Sequence, residues 1–266
     1  FIISYPLIFG FFEGNIFSLI NVMFIVTSFY LAFYNKNLLY SCIFLSIAVN
    51  INPVSIIFVL MYLPFNIKNL IKSFIYIFIF SILTFAFFYF MVSYFSENYT
   101  LGNFILSLKW FHRNLLNYEN FSFSTSLTSF LGTIGFKYNL NLYIIVFIIN
   151  LIFVCLLMLG FIREHIPKDI FIFGICISYA LISPFFSNEY LILYWLPLVY
   201  MISNINEDKF NEFRFVCSLT LLVLLSPKVY PVFGDNLQNF INGLMLILIS
   251  IYLSKHVILK FKINSN

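Results

Sequence analysis

Long apolar runs alternate with short polar gaps along the chain, and nearly all of the charge is confined to those gaps. The runs fall at about 1–12, 16–34, 38–49, 53–65, 73–93, 141–161, 169–186, 190–203, 214–226 and 237–254. Inside them apolar residues are continuous rather than alternating, which predicts helices and not the strands of a barrel. The longer runs match the roughly 20 residues that cross a hydrocarbon core. The runs at 38–49 and 53–65 do not. Each would give about 18 Å of helix, and Asn50-Ile51-Asn52-Pro53 separates them. Proline blocks a continuous helix there, and the two amides can bond the backbone groups it frees. The pattern therefore predicts two half-length helices that enter and leave on one side, with a single long kinked helix as the alternative.

Composition fixes the solvent. Hydrophobic residues make up 62% of the 266 and charged residues only 9%, against about 25% charged in a soluble domain. Such a chain cannot cover its surface with polar groups, so its surroundings are lipid. There every backbone group must be satisfied internally. The expected fold class is all-α, a polytopic transmembrane helical bundle. The net charge of +4 calls for no nucleic-acid partner, because Lys and Arg flanking the cytoplasmic ends of spans produce it.

The same bias separates the two readings of 38–65. If the hairpin returns to the side of Lys36, that side also collects Lys68, Lys72, Arg163, Lys168, Lys209, Arg214, Lys255, Lys260 and Lys262. The other side receives only Lys109, Arg113, Lys137 and Lys228. A full crossing would invert everything after Lys36. The positive-inside rule thus favours a re-entrant helical hairpin near 38–65. It also places a long loop, near 94–140, on the non-cytoplasmic side. That loop carries Phe104, Trp110, Phe111, Phe121, Phe123 and Phe130 and lacks the Pro, Gly and Ser density of a tether. Short helices on the membrane surface or against the bundle are expected within it.

One integral membrane domain accounts for residues 1–266. Glu13 is the first charge, no basic region precedes the opening apolar residues, and those residues are too few to span a bilayer. The chain reads as the C-terminal fragment of a longer membrane protein. Cys42, Cys155, Cys176 and Cys217 all lie inside apolar runs without metal-ligand spacing, as small buried hydrophobes do. Neither a metal nor a cofactor is expected.

Phosphate-binding loops, paired-cysteine motifs, HExxH and GxSxG are absent from the sequence. The candidates are polar groups beside membrane faces, where an ionisable residue is expensive to hold. Glu13-Gly14-Asn15 could hydrogen-bond a hydroxylated ligand, or simply cap a helix beginning near Ile16 with Asn15 as N-cap. In Lys109-Trp110-Phe111-His112-Arg113, the cations and imidazole could hold a lipid-linked phosphate while Trp110 stacks on a sugar ring. The same cluster also suits an interfacial helix at headgroup depth. In Ser183-Pro184-Phe185-Phe186-Ser187-Asn188-Glu189-Tyr190, Glu189 could accept from substrate hydroxyls or act as a general base. Alternatively, Asn188 and Glu189 cap a tight turn. Glu164, Asp169, Glu207, Asp208 and Glu212 flank basic residues in cytoplasmic gaps and read as solvated. Asn98-Tyr99-Thr100 and Asn120-Phe121-Ser122 carry the N-glycosylation pattern, which matters only in a secretory pathway.

In their order, these features resemble the polyprenol-phosphate-sugar-dependent glycosyltransferases of family 87, within the GT-C membrane fold. The elements carrying the resemblance are Tyr5-Pro6, Glu13-Gly14-Asn15, the 16–34 helix, Lys36, Asn52-Pro53, Lys68 to Lys72, Ser183-Pro184 through Glu189, and Leu196-Pro197. They span about Tyr5 to Tyr200. Glu13 precedes the glycine where the family has Gln after it, Asn52 stands where Lys is frequent, and no His follows Ser183-Pro184.

The resemblance implies transfer of a mannose-like sugar from a polyprenyl-phosphate carrier to a hydroxyl on a glycan or lipid acceptor at the non-cytoplasmic face. It further implies an acidic catalytic residue in a first loop upstream of Phe1. Of the residues present, Lys109, His112 and Arg113 would hold the donor phosphate. Asn15, Trp110 and Asn188 would contact sugar or acceptor, with Glu13 and Glu189 as the candidate catalytic carboxylates. Membrane lipids are the other expected partners, in a multi-pass protein of a bacterial plasma membrane rather than the endoplasmic reticulum. The competing readings are a lipid-linked glycan polymerase or flippase and a non-catalytic multi-span subunit. The lack of charge well inside a full span counts against transport.

Overall fold

The computed structural model describes residues 16–95, 140–183, 188–204, 211–225 and 234–264, with the single positions 102 and 131. The helices are α1 (Ile16–Phe33), α2 (Leu38–Ile51), a 3-10 helix (Pro53–Tyr62), α3 (Ile67–Phe95), α4 (Leu140–Ile162), α5 (Lys168–Ile182), a second 3-10 helix (Asn188–Tyr194), α6 (Trp195–Ser203), α7 (Asn211–Leu225) and α8 (Gly234–Asn264). Among the described residues there is no strand. Among the described residues three stretches are long and apolar enough to cross a membrane, at Ile67–Met91, Ile144–Ile162 and Phe240–Lys260. The long loop near 94–140 lies almost wholly outside the described residues.

Most element boundaries follow local chemistry visible in the sequence. Asn37 caps α2 by accepting the Tyr40 N–H. Asn52, held extended before Pro53 as a pre-proline residue must be, caps the next segment by accepting the Val54 N–H. Ser183 ends α5 in the same way, extended before Pro184. The run at 190–203 differs from expectation, because it divides into a 3-10 turn and α6 instead of forming one helix.

The break at Asn52-Pro53 turns the chain back on itself. Ser41 Oγ and the Tyr62 hydroxyl, on opposite sides of the break, hydrogen-bond at 2.6 Å. Ser28 joins them from α1, donating to the Ser41 carbonyl at 2.9 Å, while Ser41 Oγ donates to the Ser28 carbonyl at 2.7 Å. Small hydroxyl residues at a helix crossing let the backbones approach closely and satisfy one another. At the open end of the hairpin, the Phe33 and Phe65 rings lie 5.0 Å apart. Lys168 Nζ stands 4.3 Å from one ring centroid and 4.6 Å from the other. The chain thus returns at Phe65 to the end it left at Phe33. With α2 at 14 residues and the 3-10 leg at 10, each leg is about 20 Å long, short of the roughly 30 Å hydrocarbon thickness.

This geometry makes a topological prediction. Asn35 and Lys68 are both exposed. In a background without the native cysteines, Asn35→Cys and Lys68→Cys should be labelled by an impermeant maleimide from the same face of the membrane. Labelling from opposite faces would mean that 38–65 crosses.

Helix α5 is the centre of the bundle, with every residue from Asp169 to Ile182 buried. On one side Phe171 stacks on Phe161 of α4 at 4.6 Å, and on another Tyr179 meets Phe58 of the hairpin at 5.0 Å. Gly174 permits the close approach of α4, since a Cβ there would lie 2.5 Å from Leu157 Cδ1. By contrast α3 presents Phe78, Phe87 and Phe90 outward, each more than half exposed. The apolar surface of this protein faces out as well as in.

Two sequence expectations are corrected here. Asp169 is not a solvated acid: it is 1% exposed and accepts a hydrogen bond from Arg214 Nε at 2.7 Å, with Arg214 equally buried. A helix buried on all sides carries its first turn inside with it, and Asp169 is in that turn. Glu164 and Glu212 are exposed as expected, and Glu207 and Asp208 lie outside the described residues. Cys42, Cys176 and Cys217 are buried, but Cys155 is exposed on the outer side of α4.

Candidate functional site

At the closed tip of the hairpin, four parts of the chain place polar side chains against one another inside an otherwise apolar core. Asn21 comes from α1, Asn52 and Ser55 from the tip, Tyr179 from α5, and Tyr190 from the second 3-10 helix. Asn21, Ser55 and Tyr179 are fully buried and Tyr190 nearly so. Asn52 is half-buried and Pro53 beside it is exposed.

The tip chemistry begins with the proline. Pro53 forces Asn52 into extended backbone, and the Asn52 Oδ1 is spent capping Val54 N–H at 3.2 Å. Its Nδ2 therefore points into the bundle, donating to the Tyr179 hydroxyl at 2.8 Å and towards the Tyr190 hydroxyl at 3.5 Å. Asn21 Nδ2 reaches the same group of oxygens, at 3.2 Å from Tyr190, 3.3 Å from Ser55 and 3.5 Å from Tyr179. The Tyr179 and Tyr190 rings pack edge to face, 5.5 Å apart. Asn50, two residues earlier, faces the other way and donates to the Ser81 carbonyl at 3.1 Å and to Thr84 Oγ1 on α3. The two amides flanking Ile51 thus tie the tip to helices on opposite sides.

One acceptor is left over. Asn21 Oδ1 is buried without a hydrogen-bond partner among the described residues. Such an atom carries a desolvation cost of about 1–3 kcal/mol. All five side chains are uncharged amides and hydroxyls, so the cluster can exchange hydrogen bonds with hydroxyl groups. It supplies no cation for a phosphate. Among the described residues no group of His, Cys, Asp and Glu is arranged to hold a metal ion.

Of the residues singled out from sequence, Glu13, Asn15, Lys109, Trp110, His112 and Arg113 lie outside the described residues. Asn188 and Glu189 open the second 3-10 helix, so the backbone brings Glu189 within one residue of Tyr190 and its cluster. Their side chains lie outside the description. Asn52 was visible as part of the hairpin break. Asn21, Ser55 and Tyr179 were missed, although Asn21 is the only amide in the run 16–34, and a lone amide in an apolar run is the signal that could have found it.

Compared with known protein families, with curated proteins and with solved structures, the chain matches none.

Proposed function

We propose that the protein is a membrane glycosyltransferase taking a sugar from a polyprenyl-phosphate carrier to a hydroxyl acceptor, and that the hairpin tip forms part of its sugar or acceptor side. One observation carries this reading. Asn52-Pro53 and the segment after Ser183-Pro184 are two of the elements on which the resemblance rests, and they are more than a hundred residues apart in sequence. They meet through the Asn52–Tyr179–Tyr190 contacts, with Glu189 next to the meeting point. A neutral cluster of amides and hydroxyls suits sugar hydroxyls, which both donate and accept. The donor phosphate then falls to the basic cluster Lys109, His112 and Arg113, because the tip offers no charge. Glu189, next to Tyr190 in sequence, would accept the proton of an attacking hydroxyl.

The test is transfer of labelled sugar from polyprenyl-phosphate-mannose and related donors by membranes containing the protein, against membranes without it. Transfer should fall by about a hundredfold or more with Glu189→Gln, as loss of a general base does, and fall strongly with Arg113→Ala. No transfer with any donor, from protein shown to be folded and inserted, would overturn the enzyme reading. Transfer unaffected by both substitutions would overturn these residue roles.

A further inference from the structure

The open end of the hairpin, opposite the tip, holds two lysines. Lys168 begins α5 and lies half-buried, with its ammonium against the Phe33 and Phe65 rings at 4.3 and 4.6 Å. Ring faces attract a cation but do not neutralise it. Lys36 follows Phe33 by three residues and is exposed at this same end of the hairpin. Burial first, and that neighbouring charge second, pull the Lys168 ammonium below its usual pKa. The nearest acid in sequence, Asp169, is committed inside the bundle to Arg214 at 2.7 Å. Among the described residues no carboxylate pairs with either lysine.

The backbone adds a second observation. Lys36 has φ of 51°, a left-handed conformation that glycine or asparagine would take more readily. The turn is nonetheless built with a lysine there, exposed at the same end of the hairpin as the half-buried one.

We infer that Lys36 and Lys168 bind the phosphate of an anionic phospholipid headgroup, with the lipid chains lying along the apolar surface of the bundle. A phosphate between them removes the repulsion of two like charges, and basic pockets between membrane helices are where such headgroups are held. The inference does not rest on the glycosyltransferase reading, since this end of the hairpin is the one away from Asn52 and Tyr190.

Thermal unfolding of the detergent-purified protein tests it. Added phosphatidylglycerol should raise Tm by about 5 °C or more at saturation, as a ligand at a hundred times its Kd does for a chain of this size. Phosphatidylcholine should not. Lys36→Asn, which suits the left-handed turn, and Lys168→Gln should each lose most of that rise. Lys255→Gln, elsewhere among the basic residues, should keep it. Elution as a single sharp species, with an unaltered helical spectrum, establishes that each variant is folded. An equal rise in both variants, or an equal rise with phosphatidylcholine, would overturn the site. A rise matched by inorganic phosphate alone would overturn the lipid in favour of a soluble anion.

Discussion

Arg214→Ala should destabilise the protein by about 3–5 kcal/mol, the range for removing one partner of a buried ion pair. The substitution leaves the Asp169 carboxylate inside the bundle, 1% exposed, without the guanidinium at 2.7 Å. Asp169→Ala should be similarly severe, because an unpaired guanidinium is then buried. The joint replacement Asp169→Leu with Arg214→Met removes both charges and fills similar volume, so it should lose less than either single change. Denaturation of the four proteins in one detergent measures this as a double-mutant cycle. If Arg214→Ala loses less than about 1 kcal/mol, as an exposed pair would, the buried pair is not what joins α5 to α7. The local electrostatics agree that Arg214 is present for its partner. An acid in the first turn of α5 is favourable to the helix dipole, whereas Arg214 near the start of α7 is not.

Phe58→Ala should cost about 3 kcal/mol, near the lower end for a buried phenylalanine. Phe58 lies on the second leg of the hairpin and is fully buried. It packs edge-on against Phe29 of α1 at 5.7 Å and against Tyr179 of α5 at 5.0 Å. Truncation leaves a cavity where three elements meet, and the lost dispersion contacts are not recovered. The lower end is expected because lipid tails are as apolar as the core, so transfer out of water contributes little. Phe78→Ala is the matched control. Phe78 is 63% exposed on α3, has few contacts to lose, and should change stability by less than about 0.5 kcal/mol. Equal losses at the two positions would mean that the hairpin is not packed against α1 and α5. Because Phe58 also backs Tyr179, its truncation should loosen the polar cluster at the tip.

The sequence by itself determined the solvent, the class of fold and most of the helices. Those follow from local facts: continuous apolar runs, charge kept to the gaps, and a proline whose neighbours cannot stay helical. It also pointed to the break at Asn52-Pro53, where the chain does turn back, so that Phe33, Phe65 and Lys168 come together at one end. What the tertiary structure alone decided was which apolar run is central and which polar residues face one another. In lipid both the inner and the outer faces of a helix are apolar, so the pattern that separates core from surface in a water-soluble protein carries little information here. Nothing in the runs at 73–93 and 169–186 distinguishes the outward-facing α3 from the enclosed α5. For the same reason Asp169 looked like any other gap acid until Arg214, 45 residues away, was found against it. Asn21 and Tyr179, 158 residues apart, became part of one cluster only through the packing of α1 and α5 around the hairpin.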